Sequence, residues 1–166
     1  MRIKLLFLFL FPLFVFAQKT LRDSIYIKTN MFEIVYSEKL QQPKFIRYTV
    51  QCPNGTASRK GMDFYVNDSV KTSDNKDYEN NPYDKGHLAP AAAFSDNVEN
   101  LKQTFTYLNC AMQDQYLNRG EWKRLEEQER KWDDIESLTV IIKVFFDNFS
   151  KAIRYLITQI LSGQKD

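Results

Sequence analysis

An α+β fold built on an antiparallel sheet is predicted by three features of the sequence. Apolar residues alternate through residues 32–50, two later stretches carry apolar residues at helical spacing, and residues 138–146 form a strongly β-prone run. No internal repeat and no domain linker interrupts the chain, so one domain holds all of these elements.

The first strands are read from Phe32, Ile34 and Tyr36, then Ile46, Tyr48 and Val50, on either side of a polar connection from Glu38 to Pro43. This is a hairpin pattern, and Pro53-Asn54-Gly55 ends it. Residues 67–83 are rich in Asn, Asp, Ser and Lys and lack periodicity, which predicts a long exposed loop, a feature that is often functional in a compact domain. Ser95 or Asp96 is placed to cap a short helix carrying Val98, Leu101 and Phe105 on one side, with Glu99 three residues after Asp96. A second helix spans roughly Asn118 to Asp133, with Trp122, Leu125 and Trp132 as its apolar stripe and Glu121, Lys123, Arg124, Glu127, Gln128 and Arg130 as solvated charge and polarity. Leu138 to Phe146 reads as a buried strand. Residues 148–162 read as an amphipathic helix through Phe149, Ile153, Leu156, Ile157 and Ile160.

The N-terminus has the pattern of an export signal over residues 1–17. Arg2 and Lys4 precede an apolar run from Leu5 to Phe16, and Val15-Phe16-Ala17 offers a cleavage site. The run is short for a hydrocarbon core of roughly 30 Å, so no stable membrane insertion is expected after cleavage. Removal of Arg2 and Lys4 from the 23 basic residues leaves 21 against 21 Asp and Glu. The mature chain, residues 18–166, is therefore formally neutral and must meet a polyanion through a local patch. Its length suits one core, and the sequence sets no oligomeric state.

Cys52 and Cys110 are the two cysteines, compatible with a disulfide in an exported protein and equally with two buried thiols. With one histidine and no metal-binding cysteine pair, a zinc site of the usual type cannot be built. A metal, if used, would be a hard ion with oxygen ligands.

That one histidine, His87, lies in Tyr83-Asp84-Lys85-Gly86-His87-Leu88-Ala89-Pro90. A neutral imidazole can take a proton near physiological pH without special tuning. Two further pieces accompany it: Ser58-Arg59-Lys60-Gly61 and Leu117-Asn118-Arg119-Gly120-Glu121-Trp122-Lys123-Arg124-Leu125-Glu126. On this combination the chain resembles the DNA/RNA non-specific endonucleases, members of the ββα-metal (His-Me finger) nucleases. The resemblance covers Tyr83 to Pro90, Asn109 to Gln113 and Leu117 to Arg130, and extends loosely over residues 32–146.

The resemblance implies a ββα-metal core with a central antiparallel sheet and flanking helices. Together with the export signal, it implies an exported endonuclease that cuts DNA and RNA to 5′-phosphate products, using magnesium or, in its place, manganese. His87 stands at the general base and Asn118 at the direct metal ligand. Glu126 stands at the glutamate acting through metal-bound water. On a regular α-helix, residues 118 and 126 lie about 80° apart around the axis and roughly 12 Å along it, which also favours a water-mediated role. Asn118 could alternatively cap its helix, and Glu126 could be an exposed helical carboxylate.

Arg59, or Lys60 beside it, stands at the arginine that grips the scissile phosphate, where a guanidinium binds two oxygens at once. Lys85 replaces an arginine there, keeping charge and losing the fork. Asp84 is expected to order a turn and Gly86 to give backbone freedom. DNA and RNA are the implied partners, bound by phosphate contacts and thus sensitive to salt. Residues 147–166 depart from the family pattern, so either part of the supporting sheet is missing or residues 148–162 fold over it as a substitute cover. A second reading follows: a truncated homologue that at most binds nucleic acid.

Overall fold

The computed structural model describes residues 20–51, 55–67, 69–146 and, for the main chain, 153–163. The alternating segments form a five-stranded antiparallel sheet. Its strands are β1 (Ile25–Lys28), β2 (Phe32–Ser37), β3 (Gln42–Thr49), β6 (Ser137–Phe146) and β7 (Ile153–Gly163), in the order β1-β2-β3-β6-β7. One face is buried. Ile34, Tyr36, Ile46, Tyr48, Val140 and Ile142 are sealed there, as the period-two pattern requires. The hairpin connection is shorter than expected, because β3 already begins at Gln42.

Against that face packs a smaller unit. The strands β4 (Tyr83–His87) and β5 (Cys110–Asp114) pair antiparallel, from Tyr83 opposite Asp114 to His87 opposite Cys110. A continuous helical segment follows: α2 (Gln115–Leu117), a π turn (Asn118–Trp122) and α3 (Lys123–Asp133). Two strands and a helix thus form a ββα unit. Leu88, Ala111 and Trp122 join it to the core of the large sheet. A second apolar cluster of Phe64, Leu101, Phe105, Tyr107 and Cys110 lies beside it, beneath α1 (Val98–Gln103).

Several expectations need correction. Residues 153–163 are a strand and not part of a helix; residues 147–152 lie outside the described residues. The segment is dense in β-branched residues, so its apolar positions satisfy a helical spacing and a strand equally. The open main-chain edge of β6 decides between them, with Ser137 opposite Gly163 and Val144 opposite Leu156. The sheet therefore does not leave β6 as an unpaired edge.

The cap of α1 is Asn97, whose side chain accepts from the Asn100 N–H at 2.8 Å, and not Ser95 or Asp96. Asp96 instead accepts from the side-chain amides of Asn97 and Asn100, and Val98 faces solvent. The 67–83 stretch is not uniformly exposed: Val70, Thr72 and Ser73 are buried, and Asn75–Tyr78 form a capped 3-10 turn. Trp132 is partly exposed. The helix buries Glu129 and Asp133 in place of a continuous apolar stripe. Cys110 is a free, buried thiol in contact with the Tyr78 hydroxyl, and burial pushes it up to about 12, which makes it inert. Cys52 and the export segment lie outside the described residues.

Candidate active site

The ββα unit frames a cleft of about 800 Å³ whose walls include Arg59, Lys85, His87, Asn118 and Glu126. Residues from three separated stretches of sequence thus converge on one cavity. Of the pair Arg59 and Lys60, Arg59 lines the cleft, whereas Lys60 is exposed and does not.

His87 ends β4, and its ring is held between two aromatic rings. The Phe64 centroid is 4.5 Å away, and Phe105 meets it edge-on at 4.7 Å. Its Nε2 is shielded and has no hydrogen-bond partner among the described residues. Burial, and secondarily the Arg59 charge, push the imidazole down to about 3. The ring is accordingly neutral at physiological pH, and in this environment it is a weaker base than the untuned imidazole expected from the sequence. Its main-chain carbonyl accepts a hydrogen bond from the Trp122 indole at 3.1 Å, which fixes the strand end to the helix.

Asn118 does not cap the helix. Asp114 takes that task, accepting from the N–H groups of Tyr116 and Leu117 at 2.9 and 3.2 Å. The Asn118 amide instead donates through Nδ2 to Asp84 at 2.9 Å, and only an NH2 group can donate to a carboxylate, so Oδ1 remains as the acceptor. Asp84 also receives both arms of Arg119, at 2.8 and 2.7 Å, and these contacts hold its carboxylate below the usual range. Asp84 therefore braces the start of the helix from β4; it does not order a turn.

The π turn at Asn118–Trp122 changes the helical phase. A π turn accommodates one extra residue, so positions 118 and 126 behave as seven α positions and lie about 20° apart, not 80°. Both side chains consequently reach the same cleft. Glu126 is half-buried rather than exposed. Burial and the neighbouring Glu129 carboxylate raise it to about 8, against the opposing effects of Arg130 and Arg59. Glu129 is itself buried and raised by burial, although it accepts from the Tyr48 hydroxyl at 2.7 Å.

Five cationic side chains line the cleft: Arg59, Lys85, Arg119, Lys123 and Arg130. Lys85 is engaged by Asp63 and by Asn75 Oδ1 at 3.0 Å, and Arg119 by Asp84. Arg130 is not the solvated charge expected from its place on the helix. It is half-buried and donates to the Glu126 carbonyl at 2.8 Å. Arg59 and Arg130 have no ion-pair partner within 4 Å among the described residues, leaving both guanidiniums available to an anion.

Gly86 also differs from expectation. It does not use a conformation reserved for glycine; the constraint is space, since a Cβ there would sit 2.2 Å from Gln113 Oε1.

The donor set fits a hard divalent ion. Among the described residues no group of three His, Cys, Asp or Glu side chains gathers to cage a metal. Asn118 Oδ1 is an anchored oxygen donor, and the Glu126 carboxyl, raised by burial and by Glu129, lines the same cleft, where a cation would favour its ionised form. An ion with one direct protein ligand and otherwise water or phosphate oxygens suits magnesium, which dehydrates reluctantly.

Comparison with known proteins follows the same lines. The family model for DNA/RNA non-specific endonucleases matches residues 14–155. Mitochondrial endonuclease G is 35% identical over 79 residues in both Bos taurus and Homo sapiens, covering 46% of this chain and 26% and 27% of those proteins. Mitochondrial nuclease EXOG of Danio rerio is 33% identical over 88 residues, covering 49% of this chain and 26% of that protein. The matched stretch thus spans about a quarter of the length of these relatives. A chain in the crystal structure of the EndoG/EndoGI complex superposes with a TM-score of 0.65 at 22% identity, covering 73% of this chain and 54% of that one. Fold and family model agree: the chain belongs to the DNA/RNA non-specific endonuclease family.

Proposed function

We propose that this chain is an exported, magnesium-dependent endonuclease that hydrolyses phosphodiester bonds of both DNA and RNA and leaves 5′-phosphate ends. The observation that carries the reading is the convergence of Arg59, His87, Asn118 and Glu126 on one cleft with the imidazole neutral. His87 takes a proton from the water that attacks phosphorus. A new O–P bond forms, the bond to the 3′ oxygen breaks, and that oxygen takes a proton from solvent to leave as a 3′-hydroxyl. Arg59 forks across two non-bridging oxygens, and Arg130 adds a second positive charge to the same wall. Asn118 Oδ1 would hold a divalent ion directly and Glu126 would hold it through water; bound there, the ion would supply charge neutralisation at the phosphate and at the departing oxygen.

No base-reading element is needed for such chemistry, because phosphate contacts carry most of the affinity and little sequence preference. Export is supported by Arg2 and Lys4 ahead of the apolar run that ends at Ala17. Intact mass of the secreted protein should then begin at Gln18.

The test is incubation of purified mature chain with plasmid DNA and with RNA, in magnesium or in EDTA. Cleavage of both in magnesium alone, abolished in His87→Ala, is expected. Metal-independent cleavage or full activity in His87→Ala would overturn the mechanism. Binding without turnover would instead identify an inactive homologue.

A further inference from the structure

A second groove, of about 630 Å³, opens beside the catalytic cleft and shares Met62, Asp63 and Phe105 with it. We propose that it receives the base of a nucleotide adjoining the scissile phosphate, with the Tyr65 ring as the stacking face. The inference rests on the nuclease reading and deepens it.

Position comes first. Phe105 stands 4.7 Å from the His87 ring and also lines the groove, so the groove lies one aromatic ring away from the base that activates water. A nucleotide whose phosphate faces His87 has its own base, or its neighbour's, within reach of that space.

Rigidity follows from the main chain. The Tyr65 N–H donates to the Phe105 carbonyl at 2.9 Å, and the Tyr107 N–H donates to the Tyr65 carbonyl at 3.0 Å. Tyr65 is thereby pinned to the segment that carries Phe105, while its side chain stays 42% exposed. An aromatic residue whose main chain is held in this way has less freedom to lose on binding than one on a free loop.

Charge separates the two spaces. The catalytic cleft holds two guanidiniums, Arg59 and Arg130, outside any ion pair among the described residues, whereas the groove carries Asp63 and Glu99 against Lys102 and no arginine. Phosphate is poorly served by that balance. An uncharged, flat base against Tyr65, with Met62 and Phe105 alongside, is well served, and stacking of this kind tolerates every base. It also requires the base to be unpaired, so single-stranded or locally opened nucleic acid fits the groove best.

The experiment uses short single-stranded DNA carrying one abasic site, stepped through the positions around the cut, with wild-type protein, Tyr65→Ala and Tyr65→Phe. Cleavage is measured in magnesium and binding by anisotropy in EDTA. Tyr65→Ala should raise KM about fivefold or more with kcat little changed, while Tyr65→Phe, which keeps the ring, stays near wild type. An abasic site at one position beside the cut should weaken wild-type binding to a similar degree and have no added effect in Tyr65→Ala. Equal abasic penalties in wild type and Tyr65→Ala at every position would overturn the subsite while leaving the nuclease intact. Tyr65-dependent binding without cleavage would support the subsite and remove the catalytic reading. Absence of both binding and cleavage would overturn both.

Discussion

Trp122 donates its indole N–H to the main-chain carbonyl of His87 across 3.1 Å, so the helix that carries Asn118 and the strand that carries the imidazole are joined by one hydrogen bond. The indole is 4% exposed, and its ring is part of the core. Trp122→Phe keeps an aromatic ring and removes the donor. It should cost about 1–3 kcal/mol, seen as a lower Tm. Misplacement of His87 should lower kcat roughly tenfold to a hundredfold with KM less affected. Unchanged kcat in a folded Trp122→Phe protein would show that the bond supports only the fold.

Asp84 should set metal affinity without touching the metal. Its carboxylate holds the Asn118 amide at 2.9 Å and both arms of Arg119, and partners behind a ligand typically alter metal affinity by about 10–100-fold. In Asp84→Ala the magnesium concentration for half-maximal cleavage should rise by about that factor, and saturating magnesium should restore much of the rate. A magnesium dependence identical to wild type would remove the positioning role.

The buried imidazole makes stability fall in acid. His87 is lowered in the folded protein from 6.5 to about 3, so below pH 6.5 the unfolded chain binds a proton that the folded chain does not. Its contribution is fully present above pH 6.5 and is lost as pH falls toward 3. At pH 5 the loss relative to pH 8 is about 2 kcal/mol. His87→Gln lacks the titrating group, so its Tm should fall less between pH 8 and pH 5. The carboxylates titrate in both proteins, and the difference between the two Tm profiles isolates the imidazole. Parallel profiles would mean that the imidazole is not desolvated in solution.

Much of this architecture is legible in residue order, and what is not has identifiable causes. Phe32, Ile34 and Tyr36, and likewise Ile46 and Tyr48, occupy the buried face that their alternation assigns them. The segments around Arg59, His87 and Asn118 declare themselves as chemistry-bearing, and they do line one cleft. The π turn is invisible because it lies in the phase of main-chain hydrogen bonds and not in side-chain periodicity; assuming a regular helix misjudges the angle between Asn118 and Glu126. Nothing local marks Glu129 as buried, because its donor, Tyr48, lies 81 positions away. Asp84 is similar, since its role depends on partners 34 and 35 residues later. Long-range polar pairing leaves no local pattern, and a β-branched tail such as residues 153–161 takes its form from the strand edge it meets.

The glycine before His87 makes a last case, because its reason is steric. Gln113 is fully buried on β5, and its Oε1, Cδ and Cγ would lie 2.2, 2.4 and 2.7 Å from a Cβ added at residue 86. Those distances involve most of the side chain and not merely its flexible end, so rotation of one atom cannot relieve them. Gly86→Ala should therefore destabilise by about 1–3 kcal/mol through overpacking. It should also lower activity, since the strand it displaces ends at His87. Gln113→Ala vacates the same space, and because the two positions share one contact their effects should be non-additive by about 0.5–3 kcal/mol. Thermal melts of both single variants and the double variant close the cycle. A double variant no more stable than Gly86→Ala would mean that the glycine serves the backbone of β4 and not the space beside it.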